Sequence, residues 1–320
     1  MRNVLLFVVM LSAALPGLGA EAYPSKAVRV IVPFGPGGAS DIVARVISLQ
    51  LSEQVGKTFV VDNRTGAGGT IANGIIAKSA PDGYSLLLMD TSTTIASGLY
   101  KSLPYVISED FAPITQIMRV PNVLLVPPSI NVNTLKDFVT LLQANPGKFN
   151  YGSAGAGSTN HLSAELFSRA ARVNLVHIPY KGGGEAVAAL LGSQIQMLIG
   201  PLPTVLGYVN SGKVRPLAVT TDGKRSPAMP EVASMSEAGV SDMTIYSWYG
   251  LVGPAGTPKE IVNKLHAEVV RALAVPSVKQ WYIAQGGEAV GSSPEEFSKH
   301  IRNEVQRWAE TIKSAGIAPE

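Results

Sequence analysis

The chain has 320 residues, of which 26 are Lys or Arg and 23 are Asp or Glu, so its formal net charge is +3. The basic residues are dispersed and are not interleaved with aromatic residues, which disfavours nucleic-acid binding. The sequence contains no cysteine, and this excludes disulfides, thiolate metal sites, cysteine nucleophiles and a lipid anchor attached through cysteine. The length predicts two lobes, since one hydrophobic core seldom serves ~300 residues.

The first 22 residues predict a signal peptide. Arg2 precedes an uncharged apolar run at residues 4–15, and an Ala-x-Ala cleavage signal follows at residues 20–22. The run is shorter than the roughly 20 apolar residues that a membrane-spanning helix needs. We therefore expect export, with Tyr23 as the first mature residue.

Strands and helices alternate in the first part of the mature chain. The apolar run at residues 26–34 is typical of a strand buried on both faces of a parallel sheet. A glycine-rich turn at residues 35–38 follows, and then a helix that Ser40 and Asp41 open and Gly56 ends. The same pattern predicts strands at residues 58–62 and 85–89, a helix at 70–78, and a hydroxyl-rich loop at 90–94. Loops of this kind gather beyond the carboxyl ends of the strands, where α/β sheets bind ligands.

The pattern repeats in a second lobe. Residues 149–162 read as a strand, a glycine-rich turn and a helix that Ser158 or Thr159 caps. Further strands are predicted at residues 175–179, 195–199 and 214–220. We place the two crossings between the lobes near residues 121–122 and 246–252. The predicted domains are therefore a signal peptide at 1–22, a first lobe at 23–122 and 248–320, and a second lobe at 123–247.

The C-terminal part of the chain predicts amphipathic helices. Residues 257–260 and 293–296 each combine a cap, a proline and a glutamate in the order of a helix start. The second of these helices carries an apolar stripe from Phe297 to Ile312, which indicates core packing. We expect these helices to pack on the first lobe and make it discontinuous.

The glycine-rich turns predict anion binding. At the start of a helix the first amides lack internal partners, and with the helix dipole they favour a carboxylate or a phosphate. One such turn in each lobe suggests that two ends of one ligand are held. A tight turn without any ligand is the simpler explanation for either turn taken alone.

Catalytic motifs are missing. The sequence has no Gly-x-Ser-x-Gly elbow, no His-Glu-x-x-His pair and no Walker loop, and it predicts neither a metal nor a cofactor. Its four histidines include His177, which we interpret as a core residue, and His161, which either contacts a ligand or holds the glycine turn. An exported hydrolase or lyase that pairs His161 with Asp90 or Asp41 remains an alternative.

The order of the motifs resembles the substrate-binding proteins of tripartite tricarboxylate transporters, the Bug family. The resemblance covers nearly the whole mature chain and is carried by residues 23–26, 32–41, 63–69, 81–84, 151–161, 177–183 and 254–258. It implies a type II periplasmic binding protein fold, in which two α/β lobes joined by a two-segment hinge close on a small carboxylate. It also implies a periplasmic receptor that is not an enzyme and that delivers its ligand to membrane permease subunits. Because the long apolar stripes are used in core helices, we expect the mature protein to be a monomer. A sensor subunit with the same fold is the alternative.

The resemblance implies which residues hold the ligand. One carboxylate would be bound by Ser153, Gly155, Ser158 and Thr159, and the other end by Phe34, Gly37, Gly38 and Ser40. The neighbouring loops add further candidate ligand-binding residues, namely Thr91, Ser92, Thr93, Gly157, His161, Tyr180, Lys181 and Gly200.

One departure from the family bears on the ligand. Relatives commonly carry Asp-Asn where this chain has Gly200-Pro201, so a polar side chain is missing there. An ammonium group would need a carboxylate partner, and this disfavours an amino-acid ligand. We therefore expect a di- or tricarboxylate or an aromatic carboxylate.

Overall fold

A computed structural model describes residues 23–318 as α/β layers. The strands of this part of the chain are β1 Val28–Val32, β2 Phe59–Asn63, β3 Ser85–Asp90, β4 Phe111–Val126, β5 Asn150–Ser153, β6 Val176–Pro179, β7 Met197–Pro201, β8 Arg215–Val219, β9 Tyr246–Pro254 and β10 Glu288–Ala289. Its α-helices are α1 Ala39–Val55, α2 Thr70–Ala77, α3 Thr91–Leu99, α4 Leu135–Ala144, α5 Thr159–Ala170, α6 Gly183–Leu191, α7 Leu202–Asn210, α8 Lys259–Ala274, α9 Pro276–Ala284 and α10 Pro294–Ser314. The signal-peptide prediction concerns residues outside the described part.

The first lobe is built on the strand order β2-β1-β3-β9-β4. Strands β1, β2 and β3 are parallel, whereas β9 pairs antiparallel with both β3 and β4. Residues Val30 to Val32 of β1 are buried, as the continuous apolar run predicts. Helices α1 and α3 begin at the carboxyl ends of β1 and β3, so their first turns lie at one edge of the sheet.

The second lobe is built on the order β4-β7-β5-β6, with β8 also paired to β4. Strand β5 is parallel to both β6 and β7. Helices α5, α6 and α7 follow these three strands in turn. Their first turns therefore also gather at one edge, which faces the first lobe.

Strand β4 belongs to both sheets. It pairs with β9 as far as Pro121 and with β7 from Asn122 onward. The chain returns at Tyr246, which pairs with Pro121. Hydrogen bonding thus changes partner at the pair of residues where the sequence analysis puts the first crossing, although the exact lobe boundaries stay a prediction.

The C-terminal helices pack on elements of the first lobe. Helix α8 contacts α1, and α10 contacts α3 and β4. Glu304 of α10 is buried and accepts hydrogen bonds from the indole N–H groups of Trp248 and Trp308, both at 3.1 Å. The apolar stripe of α10 is buried except at Val305, which is partly exposed, so its role in core packing is confirmed.

Most local signals for helix ends are confirmed. Ser293 forms a capping box with Glu296, and Gly56 ends α1 in a left-handed conformation. The cap predicted at Thr257 is wrong. Its hydroxyl donates to the carbonyl of Pro254 at 2.7 Å, and α8 begins at Lys259 without a side-chain cap.

Two further boundaries differ from the sequence prediction. Residues 91–94 are the first turn of α3 and not a loop, because the Asp90 side chain caps a helix there. Strand β7 lies two residues later than predicted and contains both Gly200 and Pro201. Both shifts bring residues expected in loops into regular structure beside the cleft.

Candidate ligand-binding cleft

Five helices begin at a cleft between the two lobes. The enclosed cavity is about 30 Å³, and the space between atoms reaches about 490 Å³ only when the part open to solvent is included. The lining residues from the first turns of these helices are Ala39 and Ser40 of α1, Thr91 and Ser92 of α3, Thr159 and Asn160 of α5, Gly183 of α6, and Thr204 of α7. The positive ends of five helix dipoles therefore converge on one volume, which favours a negatively charged ligand.

Three of these helices have no side-chain cap. The N-cap residues of α1, α6 and α7 are Gly38, Gly182 and Pro201, and none of them makes a capping hydrogen bond. The first amides of a helix have no partner within the helix. A carboxylate in the cleft can supply the missing acceptors at these three helix starts.

The first-lobe wall is organised by a buried carboxyl group. The Ser40 hydroxyl donates to Oδ2 of Asp90 at 2.7 Å, and the Ser92 amide donates to Oδ1 at 3.0 Å. Burial raises the pKa of Asp90 to about 6, although these hydrogen bonds act in the opposite direction. Because the Ser40 proton goes to Asp90, only the Ser40 amide is left to donate to a ligand.

Asp41 has a structural role at the start of α1. It accepts hydrogen bonds from the Gly37 amide at 3.0 Å and from Asn63 at 3.0 Å, and it forms an ion pair with Arg45 at 2.9 Å. Burial opposes ionisation, but the hydrogen bonds from Arg45, Gly37 and Asn63 outweigh it and lower the pKa of Asp41. A carboxylate held in this way is a poor general base.

The glycine loop of the second lobe, residues 153–158, uses most of its polar groups internally. The Gly155 amide donates to Ser153 Oγ at 3.0 Å, and the Gly157 amide donates to His161 Nδ1 at 3.3 Å. Ser158 Oγ accepts from the His161 amide at 3.3 Å as the cap of α5. The part of residues 153–160 that lines the cleft is Ala154, Thr159 and Asn160.

The two histidines stack behind this loop. The ring centroids of His161 and His177 are 4.3 Å apart, and Ser153 Oγ lies 2.6 Å from His177 Nε2. Burial, with a smaller contribution from His161, lowers the pKa of His177 to about 4. The interpretation of His177 as a core residue is wrong, because this side chain is partly exposed on β6 and hydrogen bonds to the loop. His161 is buried and holds the loop, which is one of the two sequence interpretations of this residue.

The lobes touch across the cleft. Ser92 Oγ of the first lobe accepts from the Thr159 amide of the second lobe at 3.1 Å, and the Gly35 amide donates to the Lys181 carbonyl at 3.3 Å. The Tyr100 hydroxyl donates to the Ala156 carbonyl at 3.0 Å. The structure therefore represents a closed arrangement.

Glycines permit this close approach of the two backbones. A Cβ atom on Gly182 would lie 2.8 Å from the Gly35 nitrogen, and one on Gly184 would lie 2.7 Å from the Pro36 carbonyl oxygen. Both distances are far below a normal van der Waals contact. Any side chain at these positions would hold the lobes apart.

The cleft does not bring all of the predicted site residues to its surface. Those that line it are Phe34, Gly38, Ser40, Thr91, Ser92, Thr159 and Gly200. Those that lie behind or beside the lining are Gly37, Thr93, Ser153, Gly155, Gly157, Ser158, His161, Tyr180 and Lys181. Lys181 is exposed and contributes its carbonyl to the contact between the lobes.

Several lining residues were not expected from the sequence. They include Asn160, whose side chain donates to the Ile199 carbonyl at 2.7 Å, together with Thr204, Ser247 and Tyr249. Ser247 and Tyr249 belong to the crossing strand β9, which the sequence analysis treated only as a hinge. Thr204 follows a strand whose end was placed two residues too early.

Comparisons with known proteins agree with this geometry. The model of the tripartite tricarboxylate transporter family receptor matches residues 43–317. The protein BugT of Bordetella pertussis is 36% identical over 313 residues, which are 97% of this chain and 95% of BugT.

Two solved structures share the fold at high similarity. R. palustris Rpa4515 with adipate is 36% identical with a TM-score of 0.89, and the match covers 93% of this chain and 100% of that one. MatC from Rhodopseudomonas palustris with bound malate is 30% identical with a TM-score of 0.87, over 91% of this chain and 100% of that one. The expected periplasmic binding protein fold is confirmed. The chain belongs to the tripartite tricarboxylate transporter receptor family, whose members are solute-binding receptors and not enzymes.

Proposed function

We propose that the protein is a periplasmic receptor that binds a small organic carboxylate between its lobes and delivers it to membrane permease subunits. The observation that carries this proposal is the convergence of five helix N-termini on one cleft, three of them without a side-chain cap. Such an arrangement binds carboxylates through main-chain amides and needs no Lys or Arg in the cleft. Indeed, none of the described residues that line the cleft is basic.

The ligand is held by groups from both lobes. We propose direct contacts from the predicted residues that line the cleft, with the remaining predicted residues supporting them from behind. The lobes correspond to residues 23–122 with 248–320 and to residues 123–247, and they close about β4 and β9. A ligand that bridges them adds to the few direct contacts, such as the one between Ser92 and Thr159.

Asp90 changes the expectation about amino-acid ligands. The sequence disfavours amino-acid ligands because it lacks a carboxylate partner for an ammonium group at Gly200-Pro201. Asp90 is among the residues that line the cleft, and in its ionised form its carboxylate could also accept a hydrogen bond from an ammonium group. We therefore include amino dicarboxylates in the screen, beside the di- or tricarboxylates and aromatic carboxylates that we propose as ligands.

A binding screen tests the proposal. Isothermal titration of the mature protein with adipate, malate, citrate, aspartate and benzoate should find at least one that binds with micromolar affinity or better. At a hundred times its dissociation constant, such a ligand adds about 2.7 kcal/mol to the free energy of unfolding. Phosphate and choline serve as controls for non-specific anion binding and for a cation. A folded protein that binds none of the carboxylates would contradict the proposal.

Export is tested separately. No helix within residues 23–318 is long and apolar enough to cross a membrane. We propose that residues 1–22 direct export and are removed near Ala22. Cell fractionation followed by N-terminal sequencing should find the protein in the periplasm with Tyr23 first. Cytoplasmic retention of the intact chain would contradict this part of the proposal.

A further inference from the structure

Thr204 presents an unsatisfied polar group at the cleft. The residue lies in the first turn of α7, lines the cleft and is only 8% exposed. Its hydroxyl oxygen is buried and has no hydrogen-bond partner among the described residues. Buried polar groups are nearly always paired in folded proteins, so each exception needs an explanation.

The surroundings of Thr204 indicate what the missing partner is. A Cβ atom on Gly183 would lie 3.8 Å from Thr204 Cγ2, and the same atom would lie 3.7 Å from the Gly38 Cα. Thr204 therefore stands where the three helices without side-chain caps, α1, α6 and α7, come together. We call this group of helix starts with Thr204 the uncapped corner. It combines free amides, positive dipole ends and a free hydroxyl.

The opposite side of the cleft differs in this respect. There the amides of Gly155, Gly157 and Thr159 already donate to Ser153, His161 and Ser92. Helices α3 and α5 are capped by Asp90 and Ser158. The supply of unused hydrogen-bond donors is therefore greater at the uncapped corner than at the glycine loop.

We propose that the uncapped corner is a carboxylate subsite of the proposed ligand, and that the Thr204 hydroxyl donates to that carboxylate. This assignment rests on the proposed function. It also supplies a polar side chain near Gly200-Pro201, where the sequence lacks one, because Thr204 lines the cleft from the first turn of the helix that follows. Thr204 is thus a specificity-determining residue that favours ligands with a carboxylate at this end.

The test compares three variants of the full mature chain. Thr204→Val removes the hydroxyl and keeps the shape, Thr204→Ser keeps the hydroxyl, and Ser163→Ala removes another buried hydroxyl without a partner that does not line the cleft. Titration uses adipate and malate. One hydrogen bond to a charged group corresponds to about a tenfold to hundredfold change in affinity, so we expect this loss in Thr204→Val only.

A measurement without ligand separates the possible failures. Because the hydroxyl has no hydrogen-bond partner within residues 23–318, Thr204→Val should be at least as resistant to urea as the wild type. A clear loss of stability in this variant would show that the hydroxyl serves the fold, and would overturn the assignment. Equal affinities of Thr204→Val and wild type would overturn the subsite alone. If the wild type binds neither adipate nor malate, the variants are titrated with the carboxylate from the screen that it does bind. If it binds none of the five screened carboxylates, the proposed function fails and the subsite fails with it.

Discussion

The two walls of the cleft fix their helix starts by different chemistry. In the first lobe, the Asp90 carboxyl group joins the first turns of α1 and α3 through Ser40 and Ser92. In the second lobe, the imidazoles of His161 and His177 support the glycine loop through Gly157 and Ser153. Each wall is therefore held by hydrogen bonds within its own lobe, and such preorganisation reduces the entropy that ligand binding must overcome.

The two walls differ in how their titratable groups respond to pH. Burial raises the pKa of Asp90 and lowers the pKa of His177, and in both cases it favours the neutral form. The contributions of the two groups to the free energy of unfolding therefore change with pH in opposite directions. Variants that remove one group at a time separate the contributions.

The largest expected effect is at Asp90. Its pKa rises from 3.8 to about 6 on folding, so its contribution to stability is fully present below pH 3.8 and is lost as pH rises through 6. The lost free energy of unfolding is about 3 kcal/mol. Urea unfolding at pH 4 and pH 7.5 should show this loss in the wild type relative to Asp90→Asn, since Asn does not titrate.

Asp41→Asn is the matched control for that experiment. The pKa of Asp41 is lowered in the folded protein, so its contribution is present at neutral pH and is lost on acidification. The Asp41 and Asp90 variants should therefore differ from the wild type with opposite slopes against pH. Equal slopes would show that burial does not control the pKa of Asp90.

A substitution that distorts the glycine loop should weaken ligand binding about a hundredfold. Gly155 has a φ angle of 110°, a conformation that costs other residues roughly 1–3 kcal/mol. Gly155→Val therefore displaces the backbone of the second-lobe wall. Titration with the best ligand from the screen measures the effect, while circular dichroism checks folding. Unchanged affinity in a folded variant would show that the loop conformation does not matter for binding.

His177 should give the opposite dependence on pH with a smaller amplitude. Its pKa falls from 6.5 to about 4 on folding, so its contribution is present above pH 6.5 and is lost as pH falls through 4. The ring is partly exposed, so solvent reduces the effect. His177→Gln keeps a possible acceptor for Ser153 and cannot be protonated. This variant should lose less stability between pH 7 and pH 4 than the wild type.

The smallest expected effect is at Ser158. Its hydroxyl caps α5, and loss of such a cap costs about 1 kcal/mol of stability. Ser158→Ala should show this loss in urea and a weaker effect on affinity than Gly155→Val, because Ser158 lies behind the residues that line the cleft and its hydroxyl accepts from the His161 amide as a helix cap. A larger loss of affinity than in Gly155→Val would indicate direct contact with the ligand.

Features that depend on neighbours in the chain were predictable from the sequence. The alternation of strands, glycine-rich turns and helices, the capping box at Ser293 and the C-cap at Gly56 are set by residues within one turn of each other. The motifs that carry the family resemblance are also local segments, so the receptor family could be inferred before the fold was known. Even so, Thr257 shows the limit, because a nearby carbonyl attracted the hydroxyl that was expected to cap a helix.

Tertiary structure decided which polar groups remain available to a ligand. Ser40 donates to Asp90, 50 positions away, and Ser92 pairs with Thr159 at a separation of 67. The sequence shows that these groups can form hydrogen bonds. Only the fold decides whether a distant segment supplies a partner within the protein. In the part of the chain that the structure describes, the Thr204 hydroxyl has no partner, and three helix starts from both lobes meet around this residue. That outcome depends on the packing of whole elements, and no local pattern encodes it.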